Sequence, residues 1–403
     1  MTGGPLEGVR VLEVAMYGFV PSAGGVLADW GADVVKIEHA VHGDPQRGLR
    51  QTGRMRVEGD PNPNFEHANR GKRSVGLDIS APEGREVLYE LARRSDVFLT
   101  SFLPGHRRRF GIDVDDVRAV NPKIIYARGS ALGPRGPEAE RGGYDMTAFW
   151  ARAGTAASIT PPDIEGLINP PGPAYGDTIS GTNLAGGIAA ALVRLGRTGE
   201  PSVVDVSLLG SGVWSMGHGI TLSAHLGESM EASETGAHGS PANPLVGLYR
   251  TSDGRYLSLV MLQPAKFWAD VCRHVDRPDL VDDPRFATGE LIAANTGQAV
   301  EILREVIATR TLAEWAERFA TLSGPWAPVQ DSLQVVDDGQ VRANEYMVRA
   351  GEMRLAASPV QFDVRSAAAG PAPGFAAQTE EVLLEAGLTW ERIIELKTSG
   401  AVT

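Results

Sequence analysis

Short apolar runs alternating with amphipathic stretches set the pattern of the first 130 residues. Residues 9–15 (VRVLEVA) predict a strand, 23–30 a helix of small residues, and 33–38 (DVVKIE) a second strand, together a βαβ unit. Ser80 predicts an N-cap for a helix over 82–94, with Glu83 three positions on as its capping box. Residues 96–100 read as a strand, 114–120 as a helix and 123–127 as another strand. Such alternation implies a parallel sheet covered on both faces, with ligands at the carboxyl ends of its strands.

The pattern changes near Leu222. GESMEASETGAHGSPANP is polar and reads as a linker, and LYRTSDGRYLSLV predicts a hairpin turning at Asp253-Gly254. Helical periodicity follows at 264–275, 292–308 and 311–322, then a β-like segment at 353–362 and two helices within 379–397. The expected organisation is a large α/β domain over 1–222, a smaller α+β domain over 223–325, and a C-terminal part, 326–403, that returns to the first.

Composition narrows the function. The 403 residues are 42% hydrophobic, enough to bury more than one core. A net charge of −12 argues against a nucleic-acid partner, though local basic clusters still hold small anions. The single cysteine, Cys272, excludes an internal disulfide and a cysteine zinc cluster. No run of about 18 apolar residues and no basic, then apolar, N-terminus occurs, so a cytoplasmic location without a membrane partner is expected. Absence of a Walker A sequence, of GxGxxG after a strand and of HExxH disfavours ATP, NAD and a metal.

The candidate chemistry lies in loops. PGPAYGDTISGTNLAGGIAAA, residues 171–191, puts Asp177 where a Gly/Pro loop becomes a helix of small residues. The N-terminal dipole favours its ionised form, so a carboxylate is expected at pH 7. It serves there either as a nucleophile or simply as an N-cap. His39 opens a long Gly/Pro/Arg-rich segment after the second strand. Two basic clusters, Arg70, Lys72 and Arg73, then Arg107, Arg108 and Arg109, suit a polyanion such as a nucleotide phosphate, or a solvated basic face. Tyr144 either donates a hydrogen bond into the site or packs, and Asp205 reads as structural. Tyr17, Met146, Phe149 and Trp150 either line a roomy, weakly polar pocket or are simply core.

LEGVRVLEVA, LADWGADVVKIE followed by GDPQR, NRGKRSVGLDI, FLPG with RFG, AYGDTISG and PWAPV, in this order, resemble the class III (CaiB/BaiF-type) CoA-transferases over almost the whole chain. That family includes formyl-CoA transferase, the carnitine-CoA transferases and α-methylacyl-CoA racemase. The resemblance implies a Rossmann-like large domain and an interlocked homodimer. It makes Asp177 the covalent nucleophile, with acyl-CoA and a carboxylic acid as substrates and no permanently bound cofactor. It further implies CoA contacts from Lys72, Arg73, Arg109, Phe102, Tyr17 and the loops holding His39 and Tyr144. His39 stands where arginine is common, Gly18 replaces a glutamine of formyl-CoA transferase, and GAHGSPANP does not match that enzyme's tetraglycine loop. Tyr144 stands where the racemases carry histidine, which ranks intermolecular CoA transfer ahead of intramolecular transfer or isomerisation, and racemisation last. A non-catalytic acyl-CoA-binding protein is the alternative from another class.

Overall fold

The computed structural model describes residues 4–234, 239–366 and 370–403, in two units. Part of the predicted linker and of GAHGSPANP, residues 235–238, lies outside the described residues.

In the larger unit, the period-two pattern of the apolar runs becomes a six-stranded parallel sheet. Its strands are β1 (Arg10–Val14), β2 (Asp33–Glu38), β3 (Arg73–Gly76), β4 (Val97–Thr100), β5 (Ile125–Ser130) and β6 (Val203–Ser207), ordered β3-β2-β1-β4-β5-β6. Val11, Val97 and Leu99 face one side, packing on Val20, Ala23 and Leu27 of α1 (Phe19–Asp29). Leu12, Val14 and Phe98 point to the other, against Val87 and Leu88 of α2 (Pro82–Arg93). Two further helices, α3 (Pro104–Phe110) and α4 (Val114–Val120), follow β4, and the long α5 (Tyr175–Thr198) packs beside α1 through Leu184, Ala185 and Ile188. Because the strand order reverses between β1 and β4, a crevice opens at their carboxyl ends.

The terminal helices α6 (Thr379–Glu385) and α7 (Trp390–Ser399) complete the second face with Val382, Leu383, Ile393 and Leu396. They belong to this unit, as does the whole of 339–403. One local expectation fails: Ser80 does not cap α2. Its hydroxyl donates to Asp78 at 2.6 Å, and Ala81 precedes Pro82 at the helix start without any side-chain cap.

The smaller unit comprises 160–166 and 231–338. It carries the expected hairpin, β7 (Val246–Arg250) and β8 (Tyr256–Val260), and a third strand, β9 (Trp326–Pro328), antiparallel to β8. That pairing carries the unit past the expected 325, and the unit itself runs on to 338. Tyr249, Leu257 and Leu259 pack against helices Pro264–His274, Thr296–Ile307 and Leu312–Arg318. The helix predicted over 292–308 is interrupted at Asn295, whose side chain donates to the carbonyls of Arg285 and Leu291 and competes with the helix ladder.

Among the described residues, no helix is long and apolar enough to cross a membrane, and no group of side chains is arranged to hold a metal.

Candidate active site

Two adjoining cavities occupy the crevice. The smaller, about 310 Å³, is walled by His39 beyond β2, Leu77 to Ser80 beyond β3, and Phe102 and Arg109 beyond β4. The larger, about 730 Å³, is walled by Tyr17, Gly18 and Phe19 beyond β1, by the glycine-rich segment beyond β5, by Tyr144 and by Asp177. Met16, Phe102 and Phe110 line both.

Asp177 is the third residue of α5. The helix terminus is capped from elsewhere in the chain: Oδ2 of buried Asp145 accepts the Gly176 N–H at 3.0 Å. The amides of Tyr175 and Asp177 also act on the Asp145 carboxylate. Asp177 is therefore not an N-cap. Its half-buried carboxyl lines the larger cavity and makes no side-chain hydrogen bond among the described residues. Burial, and then the charge of Asp145, push its pKa up to about 7. This corrects the expectation of a fully ionised carboxylate, since near neutrality the acid and carboxylate forms are comparably populated.

Two glycines make the arrangement sterically possible. A Cβ on Gly18 would overlap Oδ2 of Asp177 and lie 3.2 Å from its Cγ. A Cβ on Gly176 would strike the Asp145 carboxylate and the Phe149 ring.

Of the other predicted residues, Tyr17 and Tyr144 share the larger cavity, their rings edge to face at 5.6 Å. The Tyr144 hydroxyl, and then burial, raise the Tyr17 phenol above its ordinary value. His39 and Arg109 line the smaller cavity, Phe102 both. Arg109 has no acidic partner among the described residues.

The rest of the two basic clusters turns away. Lys72 is fully buried, its Nζ held by Glu13 at 2.7 Å, Asn69 at 3.0 Å and the Pro21 carbonyl at 2.8 Å, so it cannot reach a phosphate. Arg73, on edge strand β3, pairs with Asp33, Glu381 and Glu385 and lines neither cavity. Arg70 is buried against Asp29, Arg107 against Asp113, and Arg108 pairs with Glu140. Asp205 pairs with Arg128. Met146, Phe149 and Trp150 lie outside both cavities, Phe149 and Trp150 being core partners of the Tyr175 ring.

Sequence reasoning missed Asp145 as the cap of α5, and it missed the buried charges Glu13, Lys36 and Asp44 behind the β1–α1 connection. A signal existed for the last group. Charged residues inside strands buried on both faces, Glu13 in RVLEV and Lys36 in DVVKIE, require partners.

Comparison with known proteins agrees with this geometry. Residues 6–379 match the model of CoA-transferase family III. The chain is 31% identical to the (R)-2-hydroxy-4-methylpentanoate CoA-transferase of Clostridioides difficile, over 98% of this chain and 99% of that protein. It is 29% identical to the human succinyl-CoA:glutarate CoA-transferase, over 99% and 90% of the two. Among solved structures, a CAIB/BAIF family protein from Brucella suis superposes with a TM-score of 0.82 at 26% identity, covering 95% of this chain and all of that one. Sequence, sheet order and structural likeness thus converge: the chain belongs to CoA-transferase family III and is an enzyme of that family.

Proposed function

We propose that the protein is an acyl-CoA:carboxylate CoA-transferase that works through covalent intermediates on Asp177. The observation that carries this reading is a carboxyl group, unpaired with any cation among the described residues, in the wall of a cavity of about 730 Å³ at the strand-order reversal. A desolvated carboxylate is a competent nucleophile toward a thioester.

An Asp177 oxygen attacks the thioester carbonyl of the donor, and the C–S bond breaks, giving an aspartyl-acyl anhydride and CoA thiolate. The thiolate then attacks the Asp177 carbonyl and expels the donor as its carboxylate, leaving an aspartyl-CoA thioester. The acceptor carboxylate attacks that thioester, forming a second anhydride and releasing thiolate. Attack of the thiolate on the acceptor's acyl carbon completes the exchange and restores the Asp177 carboxylate. Each displacement exchanges one activated acyl bond for another, so no step is steeply uphill.

The smaller cavity suits the nucleotide end of CoA, with Arg109 and His39 toward phosphate and Phe102 beside the base. The pantetheine arm then passes the shared wall of Met16, Phe102 and Phe110 to Asp177, beside Tyr17 and Tyr144. Lys72 and Arg73 have no part in this contact set. Two copies form the working enzyme. The exposed apolar side chains of Val213, Trp214 and Leu226, on successive helices Leu208–Ser215 and Gly217–Leu226, support a homodimer.

The test is intact-mass spectrometry after incubation with a panel of acyl-CoAs, trapping with hydroxylamine and mapping the modified peptide. A change confined to Asp177 and lost in Asp177→Ala supports the reading. A carboxyl titrating near neutrality is also suited to moving an α-proton. Deuterium entering the α-carbon in heavy water, without any adduct, would assign racemisation instead.

A further inference from the structure

Behind the β1–α1 connection lies a closed group of buried charges that the covalent chemistry leaves unused. The side chains of Glu13, Lys36 and Lys72 are 0% exposed and that of Asp44 is 1% exposed. Lys36 Nζ lies 3.1 Å from Glu13 and 2.8 Å from Asp44, and it donates to the Ala15 carbonyl at 2.9 Å. Asp44 Oδ1 accepts the Tyr17 amide at 3.2 Å, and Ser101 Oγ accepts the Met16 amide at 3.1 Å. Successive backbone groups of residues 15 to 17 are each gripped by a different side chain.

The conformation so held is an uncommon one. Tyr17 sits at φ +67, in the left-handed region that is strained for a residue with a Cβ and persists only where the surroundings over-determine it. The Tyr17 ring enters the larger cavity, and Gly18, the next residue, abuts Asp177. Stability alone accounts poorly for this group, because buried ion pairs are often replaceable by apolar side chains without loss.

We propose that Asp44, backed by Lys36, is a positioning residue: it sets the left-handed turn at Tyr17 and so fixes the cavity wall that faces Asp177. The proposal rests on the reading of Asp177 as nucleophile.

A double-mutant cycle tests it, with single-turnover acylation of Asp177 and steady-state CoA transfer as readouts. Asp44→Asn keeps an acceptor oxygen for the Tyr17 amide and removes the charge, whereas Asp44→Ala removes both. Expected losses in kcat are about 10-fold and about 100-fold, with the KM for acyl-CoA changed less than about threefold. In a Tyr17→Gly background, where the left-handed turn carries no strain, the same substitutions should change the acylation rate less than about twofold. Equal fold-losses in both backgrounds overturn the proposal. If the Asp44 variants do not fold, as judged by thermal melting, Ser101→Ala provides the same cycle through the Met16 amide, with the same two outcomes. Persistence of full transfer in Asp177→Ala would instead sink the nucleophile assignment on its own.

Discussion

Gly18, which precedes α1, and Asp177, in the first turn of α5, lie far apart in sequence yet meet so closely that no side chain fits between them. A Cβ at Gly18 would clash with an Asp177 carboxylate oxygen. The carboxyl therefore takes the space that a longer residue at position 18 would use, and its orientation depends on that residue being glycine. Gly18→Ala should leave the melting temperature within a few degrees and lower kcat by about 100-fold, since displacing a reacting group by about 1 Å is worth that much. Steady-state kinetics beside a thermal melt would check it; an unchanged kcat would mean that Asp177 does not need this seat.

The raised pKa of Asp177 has a sign that can be measured. In the proposed mechanism the ionised form attacks, so the acylation rate should climb with pH and level off above about 7. Asp145→Asn removes the neighbouring charge that contributes to the shift and should move the midpoint to lower pH. For stability the direction is reversed. A carboxyl whose folded pKa exceeds its unfolded value favours the folded state at low pH and loses that contribution as pH rises from about 4 to 7. Asp177→Asn should accordingly raise the melting temperature by about 2 °C or more at pH 8, and by less at pH 5. Melts at the two pH values decide it.

Two neighbouring motifs should behave in opposite ways. Arg109→Ala removes a cation from the smaller cavity and should raise the KM for acyl-CoA about tenfold with kcat largely kept. Lys72→Ala leaves Glu13 short of a buried partner and should cost about 3–5 kcal/mol of folding stability, read by urea denaturation. A KM effect without destabilisation in the lysine variant would return it to the ligand.

Light scattering should give a homodimer that persists on dilution. A monomeric mass at micromolar concentration would contradict the dimer proposal and leave Trp214, 81% exposed in the single chain, without a cover.

The alternation of strands and helices was legible because short, mainly apolar runs, broken by single charges such as Glu13 and Lys36, alternate with amphipathic stretches. Residues 33–38 were read with the bounds that the strand has, and helix 114–120 likewise. Asp177 was legible as a position because glycine and proline mark the loop before it. Its ionisation was not, since that follows from burial in the folded chain and then from the charge of Asp145, which lies 31 positions before Gly176, the residue it caps. The basic clusters misled for the same reason. Arg70 and Lys72 look like anion ligands in a linear string, but their partners, Asp29 and Glu13, stand 41 and 59 positions away. Only the folded chain distinguishes a cation that faces a cavity, as Arg109 does, from one that neutralises the interior.

The path of the chain through the large unit bears on its biosynthesis. Leu12, Val75 and Phe98 reach the ribosome exit early, whereas the helices that cover them with Leu383 and Leu396 emerge only after the whole small unit has been made. At roughly 5–20 residues per second the sheet waits on the order of tens of seconds with this face covered only in part, by α2 and α4. The nascent protein is thus a natural client for a chaperone, and slow translation late in the message would lengthen its exposure to aggregation.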